Sequence, residues 1–256
     1  MNAILKREVK KIRIKDGKTF IEEVEDPVAV EKALRITVNG RNALRLYCSP
    51  VMVRELVVGL LLTEDIIKGS WCAERMEILY GEEIVVNLTS EEDISLEGAT
   101  ITSGCVGGIT FEKRQLRYIE TPGPRIDPER LKALFNEFQL RSELYKSTGC
   151  IHSAAISDGR ILIAFAEDIG RHNAIDKIIG YCILEDIALE GKVMFASGRL
   201  SSEMVTKCAR WSIPIVVSRT APTTRALEIA ERAGMTVIGF MRADRFNIYT
   251  HPERLL

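Results

Sequence analysis

The sequence predicts an α/β fold in which a three-layer domain with a mixed sheet follows a smaller α+β domain. Beyond residue 125, short apolar strands alternate strictly with helices, a pattern typical of a sheet that helices cover on both faces. A Pro- and Gly-rich run at 121–124 breaks both regular structures and marks the boundary. We therefore expect the smaller domain at 1–124 and the three-layer domain at 125–256.

The elements of the smaller domain follow from turn and capping signals. Asn39-Gly40 separates two runs with alternating apolar residues, which indicates a hairpin. Ser49 is a favourable N-cap and Pro50 suits the first helical position, so a buried helix is expected from there to about residue 67. Further short strands are expected at 76–79, 84–88 and 99–102.

The larger domain opens with a helix at Asp127-Pro128 that extends to about residue 147. A tight turn at 157–160 joins its first two strands, which are therefore antiparallel, in a sheet that is otherwise mainly parallel. The expected strands are 151–156, 161–166, 193–196, 215–217 and 236–240, and the expected helices are 173–189, 202–211 and 222–233.

Composition excludes several functional classes. The 35 Lys and Arg residues nearly balance the 36 Asp and Glu residues, so the overall basic field of a nucleic-acid-binding protein is absent. No apolar run approaches the roughly 18–20 residues that cross a bilayer, and the N-terminus lacks the apolar core of a secretory signal. Six widely spaced cysteines indicate reduced thiols rather than a disulfide framework, which favours a cytoplasmic location.

Arginine follows four of the strands that are expected to end at one edge of the sheet. Ligands of open α/β sheets bind at the carboxyl ends of the strands, and guanidinium groups bind phosphate in a bidentate manner. The pattern favours a site for phosphate or pyrophosphate, although Arg-rich loops that merely pair with carboxylates would look the same. The candidate residues are Arg171, Arg199, Ser218, Arg219, Arg242 and Arg245.

Histidine chemistry is expected at one position. His172 begins a helix beside Arg171 and follows two carboxylates, whereas His152 and His251 are interpreted as structural. Asp168 could orient His172, bind a ligand hydroxyl, or complement the dipole of the following helix. No C-x-x-C pair is present, and Cys150 with His152, the one close pair of candidate ligands, does not make a site alone, so no intrinsic metal site is expected.

Cys105 differs from the other cysteines in its setting. Glycines at 104, 107 and 108 allow a tight turn that leaves a thiol accessible, as sulfur-transfer chemistry requires. Packing of a small apolar residue in a turn is the alternative.

Several segments occur together in a specific order along the chain: Ser49-Pro50, 55–64, 102–105, 167–177, 197–203, 218–223 and 239–242. With these segments the sequence resembles the formate dehydrogenase accessory sulfurtransferase family. The resemblance implies a carrier that takes sulfur from a cysteine desulfurase as a persulfide. It delivers that sulfur to molybdenum (or tungsten) bis-molybdopterin guanine dinucleotide, the bound client, before this cofactor enters the catalytic subunit of formate dehydrogenase.

The resemblance also assigns residues. Cys105 matches the persulfide cysteine, and a stretch that binds the dinucleotide matches Phe240, Met241, Arg242, Ala243, Asp244 and Arg245. It further implies a homodimer and a larger domain that is similar to cytidine deaminases.

One position departs from the family pattern. The usual loop is a C-x-x-C, but Gly108 stands where the second cysteine would be. A single thiolate can still hold and release a sulfur atom, so sulfur transfer remains the main expectation. The alternatives are a cofactor-binding chaperone without sulfur transfer and a nucleotide-binding regulatory protein unrelated to molybdenum.

Overall fold

The computed structural model describes residues 2–67, 71–90, 100–101, 109–110, 118–119 and 123–255. The N-terminal part contains an antiparallel hairpin and a separate sheet with the strand order β4-β3-β6-β5. Their strands are β1 (Ile4–Lys15), β2 (Lys18–Ala29), β3 (Lys32–Val38), β4 (Arg41–Cys48), β5 (Trp71–Tyr80) and β6 (Ile84–Ser90). The predicted hairpin at Asn39-Gly40 is confirmed: it joins β3 to β4, and both turn residues have positive φ, 52° and 75°.

The helix after this hairpin, α1 (Val53–Thr63), begins later than predicted. Ser49 is not its N-cap, because Met52 occupies that position with a φ of 51°. Ser49 is instead fully buried, and its side-chain oxygen accepts a hydrogen bond from the backbone N–H of Ile169 at 3.2 Å. A tertiary contact therefore overrides the local capping signal.

The second sheet has six strands in the order β10-β9-β11-β12-β13-β14. Its mixed character is confirmed, but the expectation of a mainly parallel sheet is wrong, since only β11/β12 and β12/β13 are parallel pairs. The edge strand β14 was not predicted. The strands are β9 (His152–Ser157), β10 (Leu162–Asp168), β11 (Val193–Ala196), β12 (Ile215–Ser218), β13 (Thr236–Gly239) and β14 (Asn247–Thr250). Two short strands precede them in the chain, β7 (Thr100–Ile101) and β8 (Ile109–Thr110), and pair with each other.

Helices cover both faces of the six-stranded sheet. Alternate residues of each strand enter different apolar clusters, as Met194 and Phe195 of β11 illustrate. One face packs against α4 (Arg171–Leu184), α5 (Ser202–Arg210) and α6 (Thr224–Ala233), and the other against α2 (Pro128–Leu140). The likeness to cytidine deaminases and the division at residue 124 stay predictions.

The helix expected at 127–147 is interrupted. After α2 the chain turns and begins α3 (Glu143–Thr148). Glu167 causes this second start, because its carboxylate accepts hydrogen bonds from the Ser142 hydroxyl at 2.7 Å and from the N–H groups of Leu144 and Tyr145 at 3.2 Å. In the part of the chain described here, no helix is both long and apolar enough to cross a membrane.

Helix α1 packs against α4 at backbone contact distance. A Cβ atom at Gly59 would lie 1.9 Å from the carbonyl oxygen of Asp176, and one at Gly180 would lie 1.9 Å from that of Glu55. Only glycine fits at either position. The opposite face of α1 packs in the apolar cluster of the four-stranded sheet, so this helix joins the two sheets.

The glycine contact can be tested by adding one methyl group. We expect Gly180→Ala to lower the free energy of unfolding by about 3 kcal/mol, since the helices must separate to admit the Cβ. Urea unfolding measures the change. Gly81→Ala is the control, because its Cβ would meet nothing closer than 3.4 Å. Equal stabilities of the two variants would contradict the contact.

Candidate functional site

The carboxyl ends of four strands meet at one edge of the six-stranded sheet, as the sequence predicts. Hydrogen bonds join their loops. The Ser218 hydroxyl donates to the carbonyl oxygen of Gly198 at 2.7 Å, and the N–H of Met241 donates to the carbonyl oxygen of Ser218 at 3.1 Å. The loops after β11, β12 and β13 therefore form one continuous surface.

His152 lies at the same edge, although sequence reasoning interpreted it as structural. Strand β9 runs antiparallel to β10 and β11, so its first residue pairs with Asp168 at the end of β10. The position of His152 could have been predicted from the hairpin of these two strands, because a hairpin places the start of β9 beside the end of β10.

The imidazole of His152 is held in a defined orientation. Its Nδ1 atom lies 3.2 Å from the Ser197 hydroxyl oxygen, which also accepts a hydrogen bond from the N–H of Ser153 at 2.9 Å. Burial lowers the pKa of His152, and the charges of Arg171 and Arg199 lower it further. In the neutral tautomer whose Nδ1 accepts the Ser197 proton, the Nε2 atom carries the ring proton and is a hydrogen-bond donor.

Arg171, the first residue of α4, packs beside His152. A Cβ atom at Gly198 would lie 3.0 Å from two carbons of the Arg171 side chain and 3.3 Å from Nδ1 of His152. The absence of a side chain at residue 198 therefore lets the loop after β11 lie directly on both residues. Arg199 follows on the same loop and is exposed.

His172 is more deeply placed than His152. Its Nε2 atom lies 3.3 Å from the Ser201 hydroxyl and 4.0 Å from a carboxylate oxygen of Glu203. Burial lowers its pKa to about 4, and the neighbouring charges of Lys207 and Arg171 act in the same direction. His172 is therefore neutral at physiological pH.

Both carboxylate oxygens of Asp168 bind other residues of the protein. Its Oδ2 atom lies 2.6 Å from Nζ of Lys177, with both side chains fully buried. Its Oδ1 atom accepts hydrogen bonds at 2.8 Å from the N–H of Gly170 and from the amide of Asn173. Of the three roles considered from the sequence, these contacts match the one at the start of α4, because Gly170 is the N-cap of that helix and Asn173 lies in its first turn.

The stretch 240–245 lies at the far end of the same edge. Phe240 is exposed with a φ of 51°, whereas Met241 is fully buried in the core and cannot contact a ligand with its side chain. Arg242 bends back, and its Nη1 atom donates to the carbonyl oxygens of Arg219 at 2.5 Å and Met241 at 2.9 Å. The exposed residues that follow it are Ala243, Asp244 and Arg245.

The cysteines differ sharply in accessibility. Burial raises the pKa of Cys48 and Cys208 to about 12 and that of Cys182 to about 11, so these thiols are poor nucleophiles. Cys150 is exposed, two residues before His152. Cys105 lies outside the described residues, in the connection between β7 and β8. Over the residues described, no group of three or more His, Cys, Asp or Glu could hold a metal ion.

Comparison with known proteins identifies similar chains. A sequence model of the FdhD/NarQ family matches residues 29–256. Sulfur carrier protein FdhD of Bacillus subtilis is 37% identical over 242 residues, which cover 92% of each chain. That of Staphylococcus aureus (strain MRSA252) is 33% identical over 255 residues, 96% of this chain and 94% of the other. The crystal structure of a putative formate dehydrogenase accessory protein from Desulfotalea psychrophila is 30% identical with a TM-score of 0.75, covering 98% of this chain and 100% of the other.

The depressed pKa of His172 predicts a pH dependence of stability. An unfolded histidine takes up a proton near pH 6.5 and the folded one only near pH 4, so stability falls as the pH drops through this window. We expect His172→Gln to reduce that fall by about 2–3 kcal/mol. Urea unfolding near neutral pH and again at about pH 4.5 measures it. Equal losses in the wild type and the variant would contradict the assignment.

Proposed function

Because the chain belongs to the FdhD/NarQ family, we propose that it is a sulfur carrier that serves formate dehydrogenase. It accepts sulfur from a cysteine desulfurase as a persulfide and passes it to molybdenum (or tungsten) bis-molybdopterin guanine dinucleotide. The observation that supports this client best is the convergence of Arg171, Arg199 and His152 at one sheet edge, where burial and the two guanidinium charges lower the pKa of His152.

The sulfur step needs an accessible thiolate. Cys105 is the proposed carrier, since it matches the persulfide cysteine of the family and the thiols of Cys48, Cys182 and Cys208 are buried. Its thiolate attacks the outer sulfur of the desulfurase persulfide, a new S–S bond forms, and the desulfurase cysteine leaves as a thiolate. The exchange involves no net oxidation. Gly108 removes the usual second cysteine, so the carrier acts with one thiol in this loop.

The anion step needs fixed donors at the sheet edge. Each guanine dinucleotide arm of the client carries a pyrophosphate, which matches guanidinium groups and a neutral N–H donor. Arg199 is exposed on a loop that Gly198 and Ser218 hold in place, and His152 lies beside that loop. We assign the phosphate contacts to these residues, with Arg171, Arg219 and the 240–245 stretch as neighbours.

A cofactor-binding chaperone without sulfur transfer remains the second candidate, because Gly108 replaces the usual second cysteine. The two candidates share the client and the catalytic subunit of formate dehydrogenase as partner. They differ in whether Cys105 carries sulfur.

Sulfur loading distinguishes them. After incubation with a cysteine desulfurase and cysteine, we expect the intact mass of the wild type to increase by one reducible sulfur atom. Cys105→Ala abolishes the adduct because the attacking thiolate is gone, while the buried Cys182→Ala leaves it unchanged. A wild type that stays unmodified would favour the chaperone. An adduct that persists in Cys105→Ala but disappears in Cys150→Ala would place the carrier thiol on Cys150.

The anion assignment is tested by nucleotide binding. We expect GDP to bind and Arg199→Ala to weaken the affinity roughly tenfold or more, since a charge-assisted contact to phosphate contributes about 1.5–3 kcal/mol. Calorimetry measures both proteins. Arg232→Ala, at the last turn of α6, is the control and is expected to bind like the wild type. Preference for ADP over GDP would instead favour a nucleotide-binding regulatory protein.

A further inference from the structure

The Ser197 side chain is fixed by the strand pairing at the sheet edge. The N–H of Ser197 donates to the carbonyl oxygen of Ser153 at 3.0 Å, and its hydroxyl oxygen accepts a hydrogen bond from the N–H of Ser153 at 2.9 Å. The same hydroxyl oxygen lies 3.2 Å from Nδ1 of His152. The place of this hydroxyl beside the imidazole is therefore set by the backbone and does not depend on the protonation of the ring.

A hydroxyl group is a suitable partner for an imidazole in either protonation state. After it accepts the bond from Ser153, the oxygen of Ser197 retains one lone pair and its own proton. It donates that proton to Nδ1 of a neutral ring, and it accepts the Nδ1–H of a charged ring when its own proton rotates away. A carbonyl oxygen could only accept, and an ammonium group could only donate. With Ser197 as partner, the Nε2 atom of His152 carries a proton in both states.

Charged and titratable groups face His152 from each element packed around it. Arg171 and His172 belong to the start of α4, Arg199 to the loop after β11, and Asp168 to the end of β10. Burial is the largest cause that lowers the pKa of His152, and the two guanidinium charges act in the same direction, whereas the carboxylate of Asp168 opposes them. The ring is therefore least basic while no anion offsets the charges of the arginines.

We propose that His152 takes up a proton from the solvent when a pyrophosphate binds at this edge, and that Ser197 is the positioning residue for this uptake. The anion offsets the charges of Arg171 and Arg199, which oppose protonation in the free protein. The Nε2–H then donates a charge-assisted hydrogen bond to the phosphate, and the Nδ1–H donates to Ser197. One proton moves from the solvent to the ring, the hydroxyl of Ser197 changes from donor to acceptor, and no covalent bond between heavy atoms changes.

The proton uptake couples the affinity for the anion to pH. The complex holds the proton more firmly than the free protein does, so the affinity rises as the pH falls through the range between their two pKa values. We expect binding to strengthen roughly threefold to tenfold from about pH 8 to about pH 6. This inference rests on the proposed function, because it places the pyrophosphate of the client at His152 and Arg199.

Calorimetry with GDP-mannose tests the inference. This probe carries a guanine nucleotide and a pyrophosphate that is esterified at both ends, as in one arm of the client. It has no phosphate proton that titrates near neutral pH, whereas the terminal phosphate of GDP titrates near about pH 6. The heats of binding in two buffers of different ionisation enthalpy give the number of protons taken up. We expect the wild type to take up part of a proton and His152→Gln to take up none, since the amide keeps an N–H donor but does not titrate.

The role of Ser197 is tested by removing and restoring its hydroxyl. Ser197→Ala leaves the Nδ1–H of the charged ring without an acceptor, so we expect less proton uptake and a larger loss of affinity at about pH 6 than at about pH 8. Ser197→Thr keeps the hydroxyl and should restore both. Ser201→Ala is the matched control, because it removes the hydroxyl 3.3 Å from Nε2 of His172, and its proton uptake should equal that of the wild type. An equal loss of affinity at both pH values in Ser197→Ala would show a merely structural role and overturn the assignment.

Nitrogen NMR of the imidazole rings identifies the atom that gains the proton. The signals of His152 are assigned by their loss in His152→Gln, and its Nδ1 should become protonated when GDP-mannose is added. Binding without proton uptake, or uptake that persists in His152→Gln, would overturn this inference and leave the anion site in place. Absence of GDP-mannose binding would overturn both the anion site and this inference, while sulfur loading of Cys105 reports separately on the carrier.

Discussion

The arrangement of the molecule depends on the backbone contact between α1 and α4. Gly59 and Gly180 allow the two helices to meet without side chains between them, and buried charges fix the contact at its two ends. At one end Asp168 binds Lys177, whose Nζ atom also donates to the carbonyl oxygen of Ser49 at 3.3 Å. At the other end Lys207 of α5 binds Asp176 at 2.7 Å and Glu64 at 2.8 Å.

These charges explain why the helices adopt one register. A buried ion pair contributes little net stability, because desolvation offsets most of the attraction, but an unpaired buried charge costs several kcal/mol. Sliding α1 along α4 would take the Glu64 carboxylate and the Thr63 hydroxyl away from Lys207. It would also bring Gly59 out of line with the carbonyl of Asp176. The pairs therefore select a register more than they stabilise it. Arg171 and His172 lie at the start of α4, one to two turns before Asp176 and Lys177.

Local signals in the sequence were sufficient for most of the fold. The alternation of strands and helices beyond residue 125 and the turns at Asn39-Gly40 and 157–160 were predicted correctly, because each depends on neighbouring residues. The start of α1 was not, since Ser49 is engaged by Asp168 and Ile169, which lie about 120 residues further along the chain. The arginines at the strand ends were identified in the same way, from neighbouring residues. The position of His152 at the same edge was not, because it depends on the antiparallel direction of β9.

Anion binding and sulfur transfer act on different ends of the proposed client. Under the proposed function, Arg199 and His152 bind a pyrophosphate and not the metal end of the dinucleotide cofactor, so the carrier thiol need not lie beside the arginines. Cys105 is four residues from both Ile101 and Ile109, which face each other in the β7–β8 pair, and this limits its reach from that pair to about 14 Å. Under the proposed function, the position of β7 and β8, rather than the length of the loop, therefore determines where sulfur is delivered.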